Sequence, residues 1–415
     1  MKIFFDNNAS TRVDNSVLEV MTPFFTDIIS PPSSEYGNSF GIEAQEALDE
    51  ARRAIAEKLN VTPAEVIFTS GQAESNNTLI KGYALANHER VGSKLIIASI
   101  VSHSTVLESI QTLVKHMEFE FQQITVDSEG FVRLDHLKEL LEKKPLLVSI
   151  PHGNIEIGTV ENITEIAKLC KEYQVPLHVE MTYSFCKVPT DASIVDMVSI
   201  SGHLIHGPKG IGAFYLKKGL KIFPLLDGGL QEYRKRAGTE NLPGIVGFAE
   251  AVKQFTPEVI KKIEDLRNYA SELFRINITD YQITGPSNMS KRLPGHFSAV
   301  MSYVEGESIL LYLDMLNFMV ATGSACSSKQ LKASHVLSAI GLPTEISHGS
   351  IRLGLSKYNT NEQLDEFIIH LKNTVNRLRK MSPMNAEFMR EWETKKEDGE
   401  LPEENDHHTN EIEDD

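Results

Sequence analysis

The stretch SISGHLIHGPKGIGAFYL, residues 199–216, gathers Ser201, His203, His206 and Lys209 around a glycine-bearing turn between two apolar runs. Hydroxyl, imidazole and ammonium groups brought together in this way suit a polar ligand. At its centre stands Leu204, an aliphatic side chain that can neither donate a proton nor attack a carbon. GPKGIG is not a phosphate loop, because it lacks the Gly-Lys-Ser/Thr ending and leads into a strand; a glycine-rich hairpin explains it better. A second candidate is TSGQAESNN (69–77), where Ser70 and Gly71 precede a helix start that runs through Ala73 and Asn76. Free N–H groups and the positive end of the helix dipole suit a phosphate there, and an ordinary helix cap is the other reading. Cys326 lies in ATGSACSSK (321–329) among small residues with no apolar stripe, a composition expected of an exposed loop. A thiolate in such a loop can act as a nucleophile or a soft metal ligand. Downstream, Arg352 sits between Ile351 and Leu353 in an apolar run, where a guanidinium needs a carboxylate partner, either a ligand's or an internal one.

The elements that position these residues follow from the hydropathy pattern. VIFTS (66–70), LIIASI (95–100), PLLVSI (145–150), PLHVE (176–180) and MVSIS (197–201) read as buried strands. They alternate with helical stretches such as LDHLKELLEKK and ITEIAKLCKEY, which predicts an α/β fold with a largely parallel sheet covered on both faces. Ligands of such sheets bind at the carboxyl ends of the strands, and TSGQAESNN, VSHS, PHGNIEIG and EMTY all fall there. Beyond residue 250 the texture changes to longer helices interrupted by short strands such as GHFSAVMSY, a smaller α+β unit ending near 382 at MSPMN.

The chain has 415 residues and a net charge of −16, which disfavours a nucleic-acid role. Residues 391–415 hold 12 acidic side chains against two lysines, and this acidic tail, 383–415, reads as disordered. His407 and His408 within it are a weak metal signal. No run reaches the roughly 20 apolar residues needed to cross a bilayer, and MKIFFDNNAS lacks the features of a signal peptide. A cytoplasmic protein without membrane contact is expected. Three widely spaced cysteines argue against a disulfide framework, and Cys170 and Cys186 sit in apolar patterns typical of buried thiols.

FFDNNAST, TSGQAESNN, SHSTVLES, NIEIGT, HVEMTY, the 199–216 stretch, GGLQEYRKRAGTEN, GSACSS and SIRLGLSKYNT occur in this order. Together they resemble the cysteine desulfurases of the NifS/IscS type, from about residue 2 to 382. The resemblance implies the fold-type I architecture of pyridoxal-phosphate (PLP) transferases. Its parts would be an N-terminal segment (1–15) on the small domain, a large domain with a mostly parallel seven-stranded sheet (16–250), and a small α+β domain (251–382) carrying the Cys326 loop. It further implies a homodimer, PLP as cofactor, and a role in sulfur transfer or iron–sulfur cluster assembly, with a scaffold protein or sulfur acceptor as partner.

Carried over residue by residue, the resemblance places Ser70, Gly71, Ala73, Asn154, Glu180, Tyr183, Ser201, His203, Leu204 and Thr239 around the cofactor. His103 would lie over its ring, Arg352 and Asn154 would hold the substrate, and Cys326 would take sulfur as a persulfide. Gln231, Arg236 and Thr239 belong to the segment that reaches the partner's phosphate site. Five positions depart from the pattern. Leu204 stands where the family has its Schiff-base lysine, and Lys209 is a further lysine of the pattern and no substitute. Glu180 replaces an aspartate, Tyr183 a glutamine, Ile155 an asparagine and Ala73 a threonine. Losses converging on one pocket while Cys326 and Arg352 remain point to a pseudo-desulfurase, with Cys326 as persulfide carrier or iron–sulfur cluster ligand. The alternative is an active desulfurase in which free PLP meets the substrate and His103 or another residue moves the proton.

Overall fold

The computed structural model describes residues 2–323 and 334–381, so Cys326 and the acidic tail lie outside the described residues. The strands are β1 (Ile3–Phe4), β2 (Val66–Thr69), β3 (Leu95–Ser99), β4 (Glu120–Ile124), β5 (Leu147–Pro151), β6 (Leu177–Glu180), β7 (Met197–Ser201), β8 (Gly212–Leu216), β9 (Tyr281–Ile283), β10 (His296–Met301), β11 (Phe318–Met319) and β12 (Ser350–Gly354). A seven-stranded sheet has the order β2-β8-β7-β6-β5-β3-β4. β3, β4, β5, β6 and β7 pair in parallel, and only β8 runs against its neighbours. The fold is therefore the expected α/β one.

Both faces of this sheet are covered, because alternate residues of a strand point to opposite sides. Val66 and Phe68 enter one core together with Leu48, Ile55 and Phe248; Ile67 between them enters a second core with Leu79, Ile80 and Ile110. The helix Ser39–Leu59 buries Ala44, Leu48, Ala51, Ile55 and Leu59, an i, i+4, i+7 stripe. Asn38 caps its start by accepting from the Gly41 N–H, and Asn60 ends it in the left-handed conformation. The helix Leu242–Gln254 lies against it, and the chain leaves this layer at Phe255.

A three-stranded sheet, β12-β10-β9, has its own core built on Phe274, Phe297, Phe318 and Phe367. β1 joins this part by parallel pairing with β11, and Ile3 and Phe5 contribute to its core. The N-terminal segment then reaches back to the larger layer, where Thr11 donates its hydroxyl and its N–H to the His203 carbonyl. The connection 202–211 between β7 and β8 differs from the expected glycine-rich hairpin turn. It is long, and Leu204, Ile205 and His206 are buried in it; His206 takes a left-handed φ of 64°.

One buried ion pair ties the sheet edge to the segment after β8. Arg52 donates to both Glu232 oxygens at 2.8 and 2.6 Å, and the Phe68 N–H donates to the same carboxylate at 2.8 Å. Glu232, Tyr233 and Arg234 all hold positive φ (46°, 55° and 63°), a left-handed turn that no glycine relieves. The ion pair anchors that turn. Arg52→Ala would leave the Glu232 carboxylate buried without its counter-charge, and a loss of about 3–5 kcal/mol is expected. Urea denaturation at fixed protein concentration measures it; a loss below about 1 kcal/mol would show that the pair is not structural.

Candidate functional site

The carboxyl ends of β3, β5 and β6 open onto one cavity of about 290 Å³. His103, four residues past β3, caps the helix Ser104–Met117 and lines it. Asn154 arrives from the turn after β5, Glu180 ends β6, and Tyr183 follows it. Arg352 enters from β12 on the opposite side, so both sheets contribute. Five of the residues expected from the sequence thus meet in one place.

Their environments differ. Glu180 is 1% exposed; one oxygen accepts the Thr182 N–H at 2.7 Å and the other has no partner. Burial pushes its carboxyl up to about 7. His103 is pushed down to about 4, by burial first and by the neighbouring His335 second. The Tyr183 ring stands 6.1 Å from the His103 ring, centroid to centroid. Arg352 is 7% exposed and its Nε is buried without a hydrogen-bond partner, while the Asp6 carboxyl interacts with its charge. The Asn154 side chain is largely consumed by the fold. It donates to the Val101 carbonyl and accepts from the Glu156 and Ile157 N–H groups, which braces the turn more than it serves a ligand.

The second group of expected residues lies apart from this cavity, beside the start of the helix Gln72–Val91. Gly71 and Ser201 are adjacent, since a Cβ on Gly71 would sit 3.7 Å from Ser201 Oγ. Ser201 Oγ is 2.6 Å from His203 Nδ1, and burial next to Lys187 and Lys209 holds that imidazole down at about 4. Ser70, Ala73 and Thr239 are exposed and line no part of the cavity. Arg236 pairs with Glu74 of its own chain at 3.0 Å, while Glu74 also accepts the Ser70 N–H at 2.8 Å. A carboxylate of the chain therefore stands at the helix start that was read as a phosphate site.

Between the two groups sits Leu204. It is 1% exposed and packs in an apolar cluster with Tyr183 and Leu293, joined by Ile155, Val160 and Val188. Sequence reasoning missed the residues that close the cavity from the other side. Ser334 donates to Glu156 at 2.5 Å, and His335 Nε2 lies 3.2 Å from the Ser102 carbonyl. Glu156 belongs to the quoted NIEIGT motif, but no local pattern marks Ser334 or His335. Cys170 and Cys186 are buried and both thiols are pushed up to about 12 by burial, so neither is a nucleophile at neutral pH. Among the described residues no cluster of three or more His, Cys, Asp or Glu is placed to hold a metal ion.

The raised Glu180 carboxyl has a consequence for stability. Folding holds a proton on it that the unfolded chain, with an ordinary value of 4.5, releases. Stability linked to the protonated form is complete below pH 4.5 and is lost as the pH rises toward about 7. Glu180→Gln keeps the acceptor for Thr182 and abolishes the titration. Between pH 4.5 and pH 8 the wild type is expected to lose on the order of 2–3 kcal/mol relative to this variant. Denaturation midpoints of both proteins at the two ends of that range check it; parallel pH curves would refute the assignment.

The chain matches the class-V aminotransferase family over residues 3–367. It is 44% identical to a cysteine desulfurase IscS of Dictyoglomus turgidum, across 95% of this chain and 99% of that one. To a cysteine desulfurase IscS of Methanosarcina thermophila it is 39% identical, across 94% and 95%. Among solved structures, it is similar to a NifS-like protein with a TM-score of 0.82 and 34% identity, covering 91% of this chain and all of that one. SspA in complex with cysteine gives a TM-score of 0.76 at 31% identity, over 87% of this chain and 100% of that one. A parallel sheet whose strand ends build this cavity, matched over almost the whole length by such relatives, leaves one conclusion: the chain belongs to the class-V aminotransferase family, among the cysteine desulfurases of the IscS/NifS type.

Proposed function

We propose that this chain is a pseudo-desulfurase, a homodimer on the desulfurase fold whose Cys326 carries sulfur to an acceptor without PLP catalysis. Family members use PLP. Three observations bear on whether the residues present fit that cofactor. The unpartnered Glu180 oxygen would suit a ring-nitrogen cation. The polar groups expected at the phosphate are divided between an exposed helix start and a Ser201–His203 pair already bonded to each other. The decisive observation is Leu204, which fills the expected amine position and is buried in an apolar cluster. Covalent attachment needs an amine, and among the described residues no lysine lines this cavity; the buried Lys187, pushed down to about 8 by burial, lines the separate pocket that Leu204 borders. The described residues of the cavity do not fit a covalently held PLP.

What remains is suited to binding and carrying. Arg352 Nε, buried without a hydrogen-bond partner although the Asp6 carboxyl interacts with its charge, supports a carboxylate-bearing ligand, because a desolvated donor left unpaired is costly. At Cys326 the thiolate would attack the outer sulfur of a donor persulfide. The new S–S bond forms as the donor's S–S bond breaks, and the donor leaves as a thiolate, so no oxidant is consumed. The acceptor thiolate removes that sulfur in the same way. The dimer is supported by Phe223, Leu225, Leu226 and Leu230, which stand 42–69% exposed on and beside the segment expected to cross to a partner subunit.

Purified protein supplied with PLP and L-cysteine is expected to form no alanine above background. After exposure to a small-molecule persulfide, mass spectrometry should find one added sulfur atom on Cys326 and none on Cys170 or Cys186. Leu204→Lys should gain a pyridoxyl group at residue 204 that borohydride makes permanent, which the wild type does not. Desulfuration by the unaltered chain at roughly 1 s⁻¹ or faster would overturn the reading. Light scattering is expected to give a dimer at micromolar concentration; a stable monomer would remove the homodimer from the proposal.

A further inference from the structure

A continuous chain of hydrogen bonds runs through the sheet and ends on His103. Ser149 Oγ is 2.8 Å from His178 Nδ1, and His178 Nε2 is 3.1 Å from Ser199 Oγ. Ser199 Oγ donates to Asn76 Oδ1 at 2.5 Å, and Asn76 Nδ2 donates to Thr105 Oγ1 at 2.8 Å. Thr105 Oγ1 in turn lies 2.9 Å from His103 Nδ1. Ser149, His178, Ser199 and Asn76 are all buried, so no solvent competes for these contacts.

The direction of the chain is fixed at its end. The Thr105 backbone N–H donates to His103 Nδ1 at 3.2 Å, and a backbone amide cannot reverse. Nδ1 is therefore an acceptor. The Thr105 hydroxyl, 2.9 Å from that lone pair, must donate to it, and its oxygen then receives the Asn76 amide. This sets the amide with Oδ1 toward Ser199, whose single proton goes to it; His178 must then donate from Nε2 and accept from Ser149 at Nδ1. Each member has one role, and the last free donor is the His103 Nε2–H.

We propose that Asn76 and Thr105 are positioning residues that lock His103 as the Nε2–H tautomer, so that it presents the cavity with a fixed hydrogen-bond donor and not a base. The only lone pair of the neutral ring is turned away from the cavity and already receives two donors. A ligand atom that meets His103 must be an acceptor, such as a thiolate, carboxylate or carbonyl. Protonation would have to place a hydrogen between Nδ1 and those two donors, which adds a geometric cause to the lowered affinity for a proton that burial and His335 produce. Among the described residues, the charged and titratable groups that share the cavity with His103 are Glu156, Glu180, Tyr183, His335 and Arg352. The inference stands on these hydrogen bonds and is independent of the sulfur-carrier reading.

Nitrogen NMR of the full-length chain labelled at histidine tests it, with His103→Gln assigning the resonances. The wild type is expected to show Nε2 protonated and Nδ1 unprotonated from pH 5.5 to 8, inside a range where an ordinary histidine, at about 6.5, would titrate. Thr105→Val removes one donor from Nδ1. Asn76→Asp supplies only acceptors and draws the Thr105 hydroxyl toward itself. Each is expected to raise the His103 midpoint by about one pH unit or more or to populate the Nδ1–H form. A wild-type spectrum with Nδ1 protonated, or with an ordinary midpoint, overturns the proposal even if neither variant folds. So do variants whose His103 shifts and titration match the wild type.

Discussion

The parallel pairing of β6 between β5 and β7 is the constraint on which the site depends. Its register sets Pro151 beside Glu180 and Glu180 beside Ser199, so the three strands end at one edge of the sheet. Every described side chain that faces the cavity from the large sheet lies at the carboxyl end of β3, β5 or β6 or within a few residues after it. A slip of one residue would exchange the two faces of β6 and bury Glu180 in an apolar core. The register is held by the burial of both faces, which makes any slipped pairing expensive along the whole strand.

The same burial explains why the sheet carries a polar chain in its interior. Ser149, His178 and Ser199 lie on β5, β6 and β7, and their side chains meet because parallel neighbours present residues of one face side by side. Polar groups so deep are tolerated only when each finds a partner. Here every link is satisfied, and the final donor emerges at the cavity. Structural hydrogen bonding and the chemistry presented to a ligand are one network.

Much of this was legible in the sequence. The strands at 66–69, 95–99, 147–151, 177–180 and 197–201 were marked by apolar runs, and so was the clustering of polar groups at their ends. β4 was not, because Glu120, Gln122 and Gln123 give an edge strand no continuous apolar signature. The cavity residues His103, Glu180 and Tyr183 were found through ordered motifs, and Arg352 also through its own chemistry as a guanidinium in an apolar run. Ser334 and His335 were not found, since they reach the cavity by tertiary docking across more than 170 residues of chain. Ser70, Ala73 and Thr239 share a motif with the site and still fall outside the cavity. A motif reports which segment approaches a site and not which atoms enter it.

Position 204 and the cavity residues Arg352 and Glu180 stand in opposite energetic situations. An amine at position 204 would lie among Tyr183, Leu293 and Ile155, where desolvation disfavours its charged form. Leucine removes that penalty and gains burial worth about 1.5–3 kcal/mol. Position 204 is ordinary packing. Arg352 and Glu180 retain buried atoms that no described residue satisfies. Stability alone would favour replacing them as well, since each leaves a polar atom desolvated without a hydrogen bond. Those buried atoms would be satisfied by a ligand that brings its own carboxylate and hydrogen-bonding groups.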